Sequence, residues 1–172
     1  EEFKTNDQMK KIILSMLTVA SLVSCNDDKT GGGNPINTTV LLKDHSVTPV
    51  LLKKQSGFEK LELFSLISSD DVLTESPNYI FGGSADGSGL LKNEDGTFTF
   101  LVNQEDNFSV SRISFDKTFK PVKGEYLLNS KGGTWRLCGA TMATPAEHGF
   151  GPTYLTSGES GEESRTHALN PY

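Results

Sequence analysis

The sequence predicts an all-β fold, because short apolar runs recur between turn residues and helical stripes are rare. Residues 108–115 alternate apolar and polar side chains with a period near two, as a half-buried strand does. Asp95-Gly96 lies between two such runs, and this dipeptide is a strong signal for a hairpin turn. Short connections of this kind indicate antiparallel pairing within a sandwich, a barrel or a propeller.

The expected strands follow one another along residues 40–172. They cover residues 61–68, 79–81, 90–91, 97–102, 108–115, 126–128, 135–137, 153–156 and 166–169. A turn at Asp116-Lys117-Thr118 separates two of them. The main alternative is a helix over residues 55–66, where Phe58 and Leu61 could share one face.

The first 24 residues are predicted to be upstream residues and a signal peptide. Lys10-Lys11 precedes an apolar run over residues 12–23, which is shorter than the ~20 residues that a membrane span requires. An ordinary buried helix is the alternative. The run ends in Ser24-Cys25, and residues 22–25 resemble the lipobox of bacterial lipoproteins.

That resemblance implies cleavage before Cys25 and lipid on its thiol, which would attach the protein to a membrane. Residues 25–39 would then be the lipidated cysteine and a flexible tether. Asn26-Asp27-Asp28 resembles the acidic tag of surface lipoproteins. We therefore expect an exported outer-membrane lipoprotein that faces the periplasm or the cell surface.

The charge balance disfavours nucleic acid as a partner. The chain has 22 acidic and 16 basic residues and a formal net charge of −6 at pH 7. Such a surface is compatible with the binding of cations.

Residues 132–163 combine glycine-rich turns with the lone thiol of Cys138 and with carboxylates that include Glu159, Glu162 and Glu163. If Cys25 is acylated, Cys138 has no partner for a disulfide within the chain. The thiol could be inertly buried, could bind a metal, or could pair with a residue farther downstream. Free cysteines are usually buried, so the residues alone favour burial.

Several segments together resemble the opening of the PhoX-type alkaline phosphatases. That family has a DG-x-G turn before a strand that ends in Asn-His-Glu, and then Asn-Cys-Ala-Gly-Gly, Thr-Pro-Trp-Gly-Thr and Leu-Thr-Cys-Glu-Glu motifs. The matching segments here, in the same order, are residues 81–90, Asn103-Gln104-Glu105, residues 138–141, Thr144-Pro145 and residues 154–159.

The resemblance implies a partial β-propeller, the first blades of a longer one, that binds iron and calcium and hydrolyses phosphate monoesters. It assigns metal ligation to Asp86, Glu105, Cys138 and Glu159, although Asp86 could instead be a turn residue. Gln104 stands where the family has histidine. The alternative function is a non-catalytic surface lipoprotein whose propeller-type domain binds a glycan, a peptide or a partner protein.

Overall fold

The computed structural model describes residues 40–130, 134–159, 161 and 164–172, and this part of the chain is all-β. A four-stranded antiparallel sheet has the order β1-β2-β3-β4, and a three-stranded antiparallel sheet has the order β5-β6-β7. The elements are β1 (Ala85–Lys92), β2 (Phe98–Gln104), β3 (Ser109–Phe115), β4 (Pro121–Leu128), β5 (Leu137–Ala143), β6 (Thr153–Gly158), β7 (Thr166–Leu169) and a one-turn helix α1 (Pro145–His148).

The strands expected at residues 97–102, 108–115, 126–128, 153–156 and 166–169 are confirmed, with changes at their ends, whereas the strand expected at residues 135–137 shares only Leu137 with β5. The Asp95-Gly96 turn joins β1 to β2, and Gly96 has φ = +87°, which a glycine adopts without strain. Residues 135–136 form a turn, so β5 begins at Leu137 instead of Trp135. The signal peptide, Cys25 and the tether lie outside the described residues, as do Glu162 and Glu163.

The strands predicted at residues 61–68 and 79–81 are wrong, and the alternative helix over residues 55–66 is absent as well. Hydrogen bonds to side chains hold this segment in place of the backbone hydrogen bonds of a strand. The amide of Ser65 donates to Asp44 Oδ1 at 2.7 Å, and Asp71 accepts from the Ser46 hydroxyl at 2.6 Å and the Val47 amide at 2.7 Å. Burial opposes the ionisation of Asp71, but these hydrogen bonds outweigh it and keep the pKa of the carboxyl below its usual value.

Both faces of the four-stranded sheet are buried. One face packs on the second sheet through a cluster of Leu101, Val110, Leu137, Met142 and Tyr154. The other face packs on residues 66–81 through a cluster that includes Leu73, Tyr79, Ile113 and Phe115. The apolar pattern of residues 61–68 therefore reflects packing, since Leu66 and Ile67 lie against this second cluster. No helix in the described residues is long and apolar enough to cross a membrane.

The two sheets approach each other most closely where β1 lies on β5. A Cβ added at Gly87 would lie closer to the Cys138 carbonyl oxygen than real Cβ atoms come, and would lie 2.6 Å from the Ala140 nitrogen. A Cβ at Gly89 would lie 2.7 Å from the Cβ of Met142. Glycine at these positions lets the two strands pack backbone against backbone.

We expect Gly87→Ala to lower the free energy of unfolding by about 1 to 3 kcal/mol, because the added methyl group meets backbone atoms that cannot move aside. Urea titration followed by circular dichroism measures this change. Gly139→Ala is the matched control, since its new methyl group would meet only the Ser157 hydroxyl, at 3.6 Å. Equal losses of stability in the two variants would contradict the close contact of β1 with β5.

Candidate metal centre

Asp86, Glu105 and Cys138 come together at one end of the contact between the sheets. Asp86 lies on β1, Glu105 follows directly after β2, and Cys138 lies on β5. One carboxylate oxygen from each acid and the cysteine sulfur all lie within 4.8 Å of one another. Asp86 is exposed, whereas the other two are half-buried. The structure therefore groups three of the four residues that the sequence suggested as metal ligands.

Asn103 fixes the position of β5, and hence of Cys138, relative to β2. Its side chain is fully buried, and its Nδ2 donates to the Cys138 carbonyl oxygen at 3.3 Å. Its Oδ1 accepts hydrogen bonds from the hydroxyls of Tyr154 and Thr156, both at 2.9 Å. The Tyr154 hydroxyl also lies 2.8 Å from the Gly87 carbonyl oxygen. This buried network ties β1, β2, β5 and β6 to one another.

Strand alternation sends Gln104 to the other face of the sheet. Asn103 faces β5, whereas the Oε1 of Gln104 accepts from the hydroxyls of Ser109 at 3.0 Å and Ser111 at 2.8 Å. Gln104 is fully buried there. The residue in the place of the family's histidine thus contributes nothing to the group of donors around Cys138.

Ser84 and Asp106 hold the turn that presents Glu105. The Glu105 amide donates to the Ser84 carbonyl oxygen at 3.1 Å, and the Ser84 hydroxyl donates to Asp106 Oδ1 at 2.8 Å. Ser84 has φ = 51°, a left-handed conformation that is uncommon for a residue other than glycine. Asp86 is accordingly a strand residue beside this turn, and it does not cap a turn of its own.

The Cys138 thiol is held in its protonated form. Its sulfur donates to Glu105 Oε1 at 3.5 Å and lies 3.3 Å from the Arg136 carbonyl oxygen. Loss of solvation, followed by hydrogen bonds to Glu105 and Asp86 and then by the negative charges of Glu105 and Glu159, raises the pKa of Cys138 to about 12. Without a bound cation the thiol is therefore a poor nucleophile at neutral pH.

Arg136 brings positive charge to the edge of the cluster. Its Nη2 lies 2.7 Å from Glu159 Oε1 and its Nε lies 3.7 Å from Glu105 Oε2. Glu159, the fourth predicted ligand, is thus paired with Arg136 and lies outside the group of three. No spacing in the sequence predicts this role of Arg136, whose backbone has φ = 44° just before β5.

The three donors suit a transition metal ion better than calcium. A thiolate with two carboxylates matches iron or zinc, which accept both sulfur and oxygen ligands. Calcium takes roughly 6 to 8 oxygen ligands, so two carboxylates from this cluster would fill only part of its shell. A divalent cation here would stabilise the thiolate and remove the repulsion among the acidic groups.

No protein-family model, curated protein or solved structure matches this chain. The arrangement of Asp86, Glu105 and Cys138 is therefore the main basis for inferring a function.

We expect chelator-treated protein to react slowly with iodoacetamide at Cys138. At about pH 8 the alkylation rate should be at least about tenfold below that of an exposed cysteine, because little thiolate is present. Mass spectrometry of the peptide that contains Cys138 measures this rate separately from Cys25. Glu105→Gln should raise the rate, since it removes a negative charge and a carboxylate acceptor.

Glu147→Gln is the control, because Glu147 is exposed on α1 and bonds to Thr144. A wild-type rate equal to that of a free thiol, or equal rates in the Glu105 and Glu147 variants, would contradict the raised pKa.

Proposed function

We propose that this protein is an exported, lipid-anchored metal-dependent phosphatase of the PhoX type that hydrolyses phosphate monoesters. One observation carries the proposal. The donor atoms of Asp86, Glu105 and Cys138, to which the family resemblance assigns metal ligation, converge within 4.8 Å although they come from three separate strands or turns.

Asp86, Glu105 and Cys138 would hold an iron ion, and Glu159 would join them once Arg136 releases it. When bound, such an ion acts as a Lewis acid on phosphate oxygens and neutralises developing negative charge. The Arg136 guanidinium adds a fixed donor that can bind a phosphate oxygen in the same space. The proposed calcium would need further oxygen ligands beyond this cluster.

The packing of the sheets supports the propeller part of the proposal. Two consecutive antiparallel sheets, each formed by neighbouring strands in chain order, lie face to face through β1 and β5. Propeller blades follow one another along the chain in the same manner, and sites form where the ends of neighbouring blades meet. The cluster occupies such a junction between two sheets.

We expect Cys138→Ser and Glu105→Gln to lose bound iron and the hydrolysis of 4-nitrophenyl phosphate together. The losses should reach about 10- to 100-fold or more, because each change removes a charged ligand while retaining the shape of the side chain. Elemental analysis and a chromogenic assay on the same preparations measure both quantities. Circular dichroism should remain that of the wild type.

Glu147→Gln and Gln104→His serve as controls and should leave metal content unchanged, since neither side chain faces the cluster. Purified wild-type protein that contains neither iron nor calcium, and that hydrolyses no phosphate ester, would contradict the proposal. So would wild-type metal content in Cys138→Ser.

A second candidate function is a non-catalytic domain that binds a glycan, a peptide or a partner protein. It is favoured by Arg136, which already partly neutralises Glu105 and Glu159 without any metal. The same elemental analysis discriminates between the two functions, because calcium alone or no metal favours the binding domain.

The membrane anchor belongs to the same proposal. In bacteria fed a palmitate analogue, the full chain should acquire the label at Cys25 and fractionate with membranes. Cys25→Ala should lose the label and leave the protein soluble in the exported space, whereas Cys138→Ala should keep the label. Label that survives Cys25→Ala, or no label on the unaltered chain, would contradict lipidation.

A further inference from the structure

We propose that Trp135 and Phe108 form a stacking subsite for a planar aromatic ring, so that the substrates of the proposed phosphatase are aryl or nucleoside monophosphates. This inference rests on the proposed function for the phosphate end of the substrate. The contact with the ring depends on Trp135 and Phe108, which are not among the proposed metal ligands.

The two aromatic side chains are stacked, and one of them is widely open to solvent. Their ring centroids lie 4.9 Å apart and their planes differ by 14°. Although Phe108 lies against one face of the indole, 48% of Trp135 is exposed. An exposed indole that is held in place by a neighbouring ring loses little conformational entropy when it binds a ligand.

Both rings are carried by turns that also carry residues of the candidate metal centre. The Phe108 amide donates to the Glu105 carbonyl oxygen at 3.3 Å, so Phe108 closes the turn that begins at Glu105. Trp135 directly precedes Arg136, whose carbonyl oxygen lies 3.3 Å from the Cys138 sulfur. Because consecutive Cα atoms are about 3.8 Å apart, a ring on Trp135 and a phosphate at Arg136 would contact neighbouring positions of one turn.

The backbone of each turn has a residue in the left-handed region. Phe108 has φ = 50° and Arg136 has φ = 44°, and both are bulky residues for which this region is unfavourable. These conformations bring the two rings together from separate loops. Other exposed aromatic residues in the described part of the chain, such as Phe58, have no comparable parallel partner.

Arg136 beside the stack can bind a phosphate once a cation offsets the negative charge of the cluster. The Arg136 guanidinium is half-exposed beside Trp135, and a bound cation in the cluster would add positive charge. Base stacking on an aromatic side chain is strong enough to select among phosphate esters by their organic group. The geometry thus suits a substrate that has a flat ring at one end and a phosphate at the other.

Tryptophan fluorescence tests the subsite directly, because Trp135 is the only tryptophan in the chain. The purified full chain is titrated with adenosine monophosphate, adenosine, ribose 5-phosphate and inorganic phosphate, with excitation at the red edge of the indole band. We expect saturable quenching by adenosine monophosphate, weaker quenching by adenosine, and little change with the two ligands that lack an aromatic ring. Equal responses to adenosine monophosphate and ribose 5-phosphate, or no response to either, would overturn the subsite.

Kinetics give a second readout. Trp135→Leu should raise KM for adenosine monophosphate about tenfold, which corresponds to ~1.4 kcal/mol, and should leave kinetics with ribose 5-phosphate unchanged. Phe58→Leu is the matched control, since Phe58 is also an exposed aromatic residue, at 56%, and belongs to another segment of the chain. An equal rise in KM for both substrates would overturn the assignment.

The two proposals fail in different ways. Quenching by adenosine monophosphate without any hydrolysis would refute the phosphatase and retain the ring subsite. Hydrolysis of all esters with equal KM values and no ring-dependent quenching would refute the subsite and retain the phosphatase.

Discussion

The close contact between β1 and β5 is the constraint on which the rest of the site depends. Gly87 and Gly89 remove the side chains that would separate the strands, and the buried amide of Asn103 bridges to the Cys138 carbonyl oxygen. A buried amide that lost these partners would cost about 1 to 3 kcal/mol, so the network strongly favours one relative position of the two sheets. Cys138 faces Asp86 and Glu105 only in that position, and the geometry of the cluster is therefore a consequence of how the sheets dock.

Electrostatic repulsion among the acidic groups of the cluster opposes the packing of the two sheets that brings these groups together. Two carboxylates and a thiol are brought within 4.8 Å, and Arg136 offsets only part of their charge through Glu105 and Glu159. Groups of like charge at such distances reduce stability unless a proton or a cation is shared among them. In the absence of a metal, Cys138 keeps its proton, as its raised pKa indicates. A strained arrangement of this kind is typical of sites that are completed by a ligand.

The strands that could be predicted from sequence are those whose pattern is local. The Asp95-Gly96 hairpin and the alternation of residues 108–115 depend on neighbouring residues, and the structure has both. Residues 61–68 alternate as well, but no strand forms there. The carboxylates of Asp44 and Asp71 accept hydrogen bonds in this part of the chain instead. The grouping of Asp86 with Cys138 followed from motif order, whereas the roles of Asn103 and Arg136 depend on contacts between sheets that sequence spacing does not encode.

The two oxygens of Glu105 link proton, cation and anion binding at the site. Oε1 accepts from the Cys138 thiol and Oε2 faces Arg136, so a metal ion that took both oxygens of Glu105 as ligands would displace both contacts. The first displacement releases the thiol proton, since a thiolate is the form that binds metal. The second would remove the longer of the two Arg136 contacts and leave the guanidinium paired with Glu159 at 2.7 Å. In the proposed phosphatase, a metal ion that also takes Glu159 would leave Arg136 available to the phosphate group, and Trp135, the residue before it, would contact the organic part of the ester.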